Sequence, residues 1–222
     1  MTRKLTKELL ERCNLPRKHW AASRDSLTPA QRECVSSYVT RFLEFYRYGQ
    51  GFYLWGPLGV GKSYVGTCLC KYVCGQFPLM PYYVRMSQFR ECCLDRTIVA
   101  YQTVDYTLLR LDEVKTTPFL VIDDVGREPR AGSGFFESCF GDLLRERHAA
   151  LRPTVLLSHF GPQEFLDVYG EDTFSLVSEM MMDRHLLGDD MRQVERQKRA
   201  VLWEQYSDEE HEEGKEDEKS KL

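Results

Sequence analysis

The chain has 222 residues and a net charge of −4, and this length suits one sizeable α/β domain with short appendages. No apolar run approaches the roughly 20 residues that a membrane span needs. The polar start Met1-Thr2-Arg3-Lys4 lacks the apolar segment of a signal peptide. These features argue against membrane and secreted proteins, and we expect a soluble, cytoplasmic protein with no membrane partner.

The charge is spread unevenly along the chain. Residues 207–222 hold eight acidic and three basic side chains, so this tail has a net charge of −5 and the rest of the chain about +1. Basic side chains are in excess over residues 1–20. A balanced core between a basic head and an acidic tail neither requires nor excludes nucleic acid as a partner. We expect the tail to be disordered because it has almost no apolar residues.

The eight cysteines match no zinc-binding spacing and are typical of a reducing compartment. Cys70 and Cys74 are four residues apart in a predicted helix, so they share one face of it. We interpret them as small apolar residues that pack against a sheet.

The pattern of apolar residues predicts an alternation of strands and helices. Residues 4–12 form either a short amphipathic helix or a disordered basic arm, and residues 30–48 are predicted to be one helix. The core is then predicted in βα order, with strands at 52–55, 82–86, 119–122 and 154–158 and helices at 63–73, 87–96, 134–148, 162–169 and 172–182. Such alternation implies a parallel sheet that helices cover on both faces. Residues 190–206 are predicted to be a charged helix, and residues 97–117 have no readable pattern.

A phosphate-binding motif of the form G-x-x-x-x-G-K-S/T follows the first predicted strand. Glycines let backbone N–H groups curl around phosphate oxygens, and the next helix would point its N-terminus at the anion. Lys62 would place a positive charge on the β- and γ-phosphates, and the Ser63 hydroxyl would bind Mg²⁺. With the residue after the motif, the predicted nucleotide contacts are Gly56, Pro57, Leu58, Gly59, Val60, Gly61, Lys62, Ser63 and Tyr64.

A pair of carboxylates ends the predicted strand Phe119–Ile122, an apolar run typical of a strand that is buried on both faces. A carboxylate at the end of such a strand, beside a phosphate-binding loop, is where an NTPase holds its Mg²⁺. We assign Asp123 to Mg²⁺, directly or through water, and Asp124 to orienting and deprotonating the attacking water. The alternative is that both carboxylates only cap a turn after a core strand.

Together these motifs resemble the ATPase domain of bacterial and phage helicase loaders, the DnaC/DnaI group, and the related IstB transposition ATPases. The resemblance covers roughly residues 14–192. Its points in chain order are Asn14-Leu15-Pro16, Gly51–Pro57, Leu120–Glu128 with an Asp-Asp-x-Gly form, Arg147 with Arg152–Ser158, and Gly188-Asp189-Asp190-Met191-Arg192.

The resemblance implies an AAA+ fold, with a parallel sheet in the order 5-1-4-3-2, and ATP with Mg²⁺ as its ligands. It divides the chain into a short basic arm or helix at 1–13, an AAA+ ATPase domain at 14–206 and the acidic tail at 207–222. The implied activity is ATP hydrolysis. ATP binding would govern assembly of a homo-oligomer and contact with a replicative ring helicase, which would be loaded onto single-stranded DNA during replication.

The resemblance also implies roles at the γ-phosphate. Ser158 or His159 would occupy the sensor 1 position, and Arg192 would read the γ-phosphate as a sensor-2-like arginine. His159 stands where the family usually has Asn, and although imidazole still donates hydrogen bonds, we expect slow or pH-sensitive hydrolysis. The family's Ser-Arg-Leu element is replaced by Ser178-Glu179-Met180, which leaves Arg184 either as the nearest arginine finger or as a surface arginine that closes a helix.

Basic and aromatic side chains that suit contact with single-stranded DNA are interleaved after the second predicted strand. The same residue types are also ordinary core and surface residues, so this pattern leaves DNA contact undecided. The candidates are Arg90, Arg96, Tyr101, Tyr106, Arg110 and Lys115, with Arg127 and Arg130 placed to reach DNA or a neighbouring subunit.

Three other functions stay open at this point. The first is an IstB-like transposition ATPase, which a neighbouring transposase gene would favour. The second is a P-loop nucleoside or nucleotide kinase, which needs a lid with clustered arginines near an acceptor pocket. The third is a nucleotide-gated interaction protein, which would bind ATP tightly without turning it over.

Overall fold

The computed structural model describes residues 3–95, 111–127, 134–194 and 196–197. Within these ranges, one sheet contains β1 (Gly51–Trp55), β2 (Pro81–Arg85), β3 (Phe119–Val125), β4 (Thr154–Ser158) and β5 (Met181–His185). The strands lie in the order β2-β3-β4-β1-β5, and every neighbouring pair is parallel. The predicted parallel sheet in the order 5-1-4-3-2 is confirmed.

Helices cover both faces of this sheet. They are α1 (Lys7–Arg12), α2 (Pro29–Val39), α3 (Phe42–Arg47), α4 (Lys62–Gln76), α5 (Met86–Asp95), α6 (Leu111–Thr116), α7 (Phe135–Ala149) and α8 (Pro162–Met180). Helices α1 to α4 bury apolar side chains on one face, and α5 to α8 bury theirs on the other. Strand β1 contributes side chains to both clusters: Phe52 and Leu54 pack against α1 to α4, and Tyr53 packs against α5 to α8. None of the described helices is long and apolar enough to cross a membrane.

Two parts of the chain differ from the prediction. Residues 30–48 form two helices, α2 and α3, because Arg41 has non-helical dihedral angles. Met181 and Met182 leave α8 and begin β5, an edge strand that pairs with β1 and with no other described strand. The two predicted helices before it agree with α8, which consists of two helical stretches that meet at Gly170, where φ is 80° and ψ is 167°. Because the rest of β5 is polar, it lacks the apolar run by which a central strand is recognised in a sequence.

The N-terminal segment lies against the core. Residues 7–12 form α1, and its Leu9 and Leu10 join the apolar cluster on the α4 face of the sheet. Residues 13 and 14 are hydrogen-bonded to Tyr83 on β2. Residues 97–110 and the tail at 207–222 lie outside the described residues, and the domain boundaries at 13 and 206 stay predictions.

The cysteines that follow the phosphate-binding motif pack as expected. Cys70 and Cys74 are buried on α4 within the cluster on that face of the sheet. Cys13 and Cys74 are both buried, and their Sγ atoms lie 3.9 Å apart.

Arg147 on α7 is fully buried, and it has no carboxylate partner among the described residues. Burial lowers its pKa to about 9, so the guanidinium stays charged at neutral pH. Five hydrogen bonds of 2.7–3.3 Å compensate that charge. The acceptors are Thr154 Oγ1 and the carbonyl oxygens of Val114, Lys115, Thr117 and Pro153. The side chain therefore ties α7 to α6 and to the start of β4.

Replacing Arg147 by Lys should destabilise the fold by about 3 kcal/mol. One ammonium group cannot satisfy five acceptors in two separate stretches of the chain, residues 114–117 and 153–154, and each buried carbonyl left without a donor costs about 1–3 kcal/mol. Urea unfolding measures the loss. The matched control is Arg145→Lys on the same helix, where the half-exposed side chain pairs with Asp142 at 3.0 Å and the expected loss is below about 0.5 kcal/mol. Equal unfolding free energies for the two variants would contradict this role of Arg147.

Candidate nucleotide-binding site

The phosphate-binding loop joins β1 to α4 at the carboxyl edge of the sheet. Two of its glycines have positive φ angles, 85° at Gly59 and 89° at Gly61, which other residues adopt only with strain. A Cβ atom at Gly59 would lie 1.8 Å from the carboxylate of Asp190, and one at Gly61 would lie 2.2 Å from Gln31 Nε2. The loop keeps its shape and its close neighbours only because both positions are glycine.

Lys62 is the first residue of α4, and its side chain folds back over the loop. Its Nζ donates to the carbonyl oxygens of Gly56 and Pro57, each at 2.7 Å. Burial lowers the pKa of Lys62 to about 8, although Asp123 and Asp124 act in the opposite direction. An anion in the loop would compensate this ammonium better than two neutral carbonyl groups do.

Asp123 and Asp124 are consecutive, yet both line the same cavity. Successive side chains of a regular strand point to opposite faces. Here the pairing of β3 with β4 shifts register between Ile122 and Val125, and Asp124 has a φ of 59°. This bulge turns Asp124 toward the cavity, where its side chain is 42% exposed and lies 3.5 Å from Arg127.

Asp123 is only 5% exposed, and hydrogen bonds hold both of its carboxylate oxygens. The Tyr83 hydroxyl donates to Oδ2, and the backbone N–H of Asp124 donates to Oδ1 at 2.9 Å. Burial raises the pKa of Asp123, while hydrogen bonds to Tyr83 and to the Ser63 hydroxyl act in the opposite direction. A buried carboxylate beside a serine hydroxyl offers the oxygen ligands that Mg²⁺ prefers, and a cation would offset the cost of burial. These residues therefore fit the ion that the sequence predicts there.

A cavity of about 750 Å³ lies over this edge of the sheet, within the range of ligand pockets. The predicted residues that line it are Leu58, Gly59, Gly61, Lys62, Ser63, Tyr64, Asp123, Asp124, His159 and Arg192. The lining does not include Gly56, Pro57, Val60, Ser158 or Arg184. The fold thus brings most of the predicted site together from four separate stretches of the chain.

The two sensor 1 candidates have different environments. Ser158 is fully buried; its hydroxyl donates to the Val125 carbonyl and accepts from the backbone N–H of Phe160, each at 2.9 Å. His159 lines the cavity, and its Nδ1 is buried without a hydrogen-bond partner among the described residues. Burial, with the positive charges of Arg127 and Lys62, lowers the pKa of His159. His159 therefore brings a neutral imidazole to the cavity wall, with Nδ1 buried behind it, while Ser158 joins the ends of β3 and β4.

The segment after β5 closes the cavity from the other side. Residues 191–194 are helical, and Asp190 Oδ1 accepts from the Arg192 backbone N–H at 2.9 Å. The backbone N–H of Met191 donates to the Gly59 carbonyl at 3.0 Å, so this helix is attached to the phosphate-binding loop. Arg192 lines the cavity, and so does Arg196, which the sequence analysis missed.

Arg184 lies elsewhere. It is exposed on β5, opposite Leu54 in the register, and its Nη1 donates to the Asp183 carbonyl at 3.1 Å. The role of Arg184 as an arginine finger stays a prediction.

The sequence analysis also missed the residues that line the N-terminal side of the cavity. Gln31 Nε2 donates to the Val60 carbonyl at 2.9 Å, and burial lowers the pKa of His19 to about 4. The capping box at Thr28–Gln31 is readable in the sequence, but it does not reveal a contact between residues 29 positions apart. The missed lining residues on this side are Lys18, His19, Ser26 and Gln31.

Of the DNA-contact candidates, Lys115 pairs with Glu146 at 2.6 Å and Arg127 with Asp124 at 3.5 Å. Arg90 lies on α5, a helix of the face opposite α4. The other candidates, Arg96, Tyr101, Tyr106, Arg110 and Arg130, lie outside the described residues. DNA contact stays a prediction.

The chain was compared with protein families, with curated proteins and with solved structures. No family model matches it. The chain is 29% identical over 146 residues to the replicative helicase loader DnaI of Bacillus subtilis (strain 168). That match spans 62% of this chain but only 43% of DnaI.

Two solved structures share the fold. A crystal structure of DnaI has a TM-score of 0.62 at 22% identity, over 79% of this chain and 93% of that chain. A crystal structure of the DnaC helicase loader has a TM-score of 0.64 at 17% identity, over 78% of this chain and 100% of that chain. The resemblance to helicase loaders of the DnaC/DnaI type is confirmed.

Proposed function

We propose that this chain is a nucleotide-switched helicase loader. It binds Mg·ATP, hydrolyses it slowly and delivers a replicative ring helicase to single-stranded DNA. The observation that carries the nucleotide part is the convergence of the phosphate-binding loop, Asp123, Asp124 and Arg192 on one cavity. The similarity to DnaI supports the loader part.

Binding of the phosphates begins with Lys62. The ammonium group leaves the carbonyl oxygens of Gly56 and Pro57 and turns to the β- and γ-phosphates, while backbone N–H groups of the loop and the N-terminus of α4 hold the remaining oxygens. Ser63 and Asp123 would hold Mg²⁺, which supplies charge neutralisation at the phosphates when it is bound. The buried position of Asp123 keeps this carboxylate in place before the ligand arrives.

We assign hydrolysis to the groups that would lie next to the γ-phosphate. Asp124 is open to solvent, so water reaches its carboxylate, which orients the water and accepts its proton. Neutral His159 donates a hydrogen bond to the γ-phosphate or to the water, and Arg192 contacts the γ-phosphate. Arg127 competes for Asp124 in the nucleotide-free chain, and an imidazole replaces the family's amide at residue 159. Both features favour slow turnover.

The partners follow from the similarity and from exposed residues. A ring helicase is proposed because DnaI is a replicative helicase loader. Arg184 is exposed on the edge strand β5, where it would reach the nucleotide of a neighbouring subunit in an ATP-dependent homo-oligomer. Single-stranded DNA is proposed for the inside of that oligomer, next to the basic and aromatic residues that follow β2.

The test of this function is capture of proteins from a bacterial lysate on the purified chain, with Mg·ATP, with Mg·ADP and without nucleotide. We expect a hexameric replicative helicase to be retained, and its amount to depend on the nucleotide. Lys62→Ala should bind no nucleotide and should lose this dependence. Retention of a transposase instead would point to an IstB-like function, and absence of any helicase would overturn the loader assignment.

Asp124→Asn should preserve ATP binding and lower hydrolysis by about 100-fold or more, because the amide cannot accept the proton of the attacking water. Phosphate release measures turnover, and fluorescence titration with a labelled ATP analogue measures binding. Asp142→Asn on α7 is the control, since its exposed carboxylate pairs only with Arg145 among the described residues. Turnover by the Asp124 variant equal to that of the control would rule out Asp124 as the base.

Nucleotide affinity should fall as the pH rises from 7.5 to 9.5. Burial lowers the pKa of Lys62 to about 8 when no anion is bound. Above that pH the side chain is mostly a neutral amine. Bound phosphates favour the charged form, so binding must then take up a proton and weakens by up to about tenfold per pH unit. Phosphate is already ionised at pH 7.5. Fluorescence titration at several pH values measures this, and a flat profile would contradict the assignment of Lys62 to the phosphates.

A further inference from the structure

Tyr83 contacts the metal carboxylate from outside the nucleotide cavity. It lies in the middle of β2 and is only 2% exposed. Its register partner on β3 is Val121, and its ring packs in the cluster on the α4 face of the sheet. From there the hydroxyl reaches along the sheet and donates to Asp123 Oδ2. Tyr83 does not line the cavity, although its hydroxyl is also within hydrogen-bonding reach of Ser63.

The hydrogen bond determines how Asp123 is presented. A phenol has one proton to donate, and an ionised carboxylate only accepts, so the direction of the bond is defined. With the backbone N–H of Asp124 on the other oxygen, both ends of the carboxylate are held and its plane cannot rotate. Groups that hold a metal ligand in this way change metal affinity without touching the metal.

The backbone of Tyr83 is in turn held by the N-terminal segment. Among the described strands β2 lies at one edge of the sheet, with β3 as its strand neighbour. On its other side the Tyr83 N–H donates to the Cys13 carbonyl at 3.0 Å, and Asn14 Nδ2 donates to the Tyr83 carbonyl at 2.8 Å. Asn14 makes this contact with a left-handed backbone, φ 54°. Residues 13 and 14 thus occupy the place of a further strand at this one position.

We propose that Tyr83 is a positioning residue that sets the affinity of the nucleotide site for Mg²⁺, and that residues 13 and 14 act on the site through it. The inference rests on the proposed function, since it takes Asp123 as the metal carboxylate. Through Tyr83 the N-terminal segment is connected to the nucleotide site by hydrogen bonds. Residues 13 and 14 are hydrogen-bonded to the Tyr83 backbone, and the Tyr83 side chain donates to Asp123.

The principal variant is Tyr83→Phe, which removes the hydroxyl and keeps the ring in the core. The matched control is Tyr82→Phe, the preceding residue on β2, whose half-buried ring packs on the opposite face of the sheet. Binding of a fluorescent ATP analogue is measured over a series of Mg²⁺ concentrations and in EDTA. This readout does not require hydrolysis.

We expect Tyr83→Phe to need about tenfold more Mg²⁺ than the wild-type chain for half of the Mg²⁺-dependent gain in affinity. Affinity in EDTA should stay within about twofold of wild type, because the phosphate-binding loop is unchanged, and Tyr82→Phe should match wild type in both conditions. An unchanged or lower Mg²⁺ requirement in Tyr83→Phe would overturn the inference.

A second variant tests the link to the N-terminal segment. Asn14→Gly removes the side-chain amide, and glycine retains the left-handed backbone at that position. We expect it to raise the Mg²⁺ requirement less than Tyr83→Phe does, and to add nothing when the two changes are combined. Effects that multiply in the double variant would overturn the route through Tyr83. If Tyr83→Phe does not fold, Asn14→Gly alone decides, and an unchanged Mg²⁺ requirement there counts against the proposal.

The same titration separates this inference from the proposed function. If the wild-type chain binds the analogue equally well with and without Mg²⁺, then Asp123 is not a metal carboxylate and both proposals fail. If the wild-type chain depends on Mg²⁺ and both tyrosine variants behave like it, only the role of Tyr83 fails.

Discussion

Burying a carboxylate costs free energy unless hydrogen bonds or cations compensate it. Asp123, at the carboxyl end of β3, is 5% exposed, and groups on several elements offset part of this cost. Tyr83 donates from β2, the next backbone N–H donates from within β3, and Lys62 brings positive charge from the start of α4. The relative placement of these three elements therefore depends on one buried charge, and the site is arranged around it before any ligand binds.

The phosphate-binding loop makes contact with both the N-terminal and the C-terminal parts of the described chain. Gln31 donates to the loop at Val60, and Met191 donates to it at Gly59. Because the glycines leave no space for a Cβ at these contacts, a change in the loop has to displace one neighbour or the other. A ligand that moved this loop would therefore act directly on α2 and on the helix at 191–194. Such connections are what a nucleotide-dependent switch requires.

Much of the fold could be predicted from the sequence because its central strands are buried on both faces. β1, β3 and β4 are short apolar runs next to turn residues, and that pattern is local. β5 was missed since an edge strand is stabilised by pairing on one side only and needs no apolar run. The fully buried Arg147 could not be predicted, because a charged residue in a helical pattern does not show that its side chain hydrogen-bonds to α6 and to the start of β4.

The chemistry proposed for the site can be predicted from short stretches of residues. The glycines, Lys62, Ser63 and the two aspartates lie in two such stretches, and their residue types and spacing are enough to indicate phosphate and Mg²⁺. The relative positions of these groups, in contrast, depend on the folded chain. The bulge after Ile122 brings both aspartates to one cavity, and Tyr83 reaches Asp123 across 40 residues of chain. Such contacts depend on strand register and on the packing of distant segments, which a local pattern of residue types does not contain.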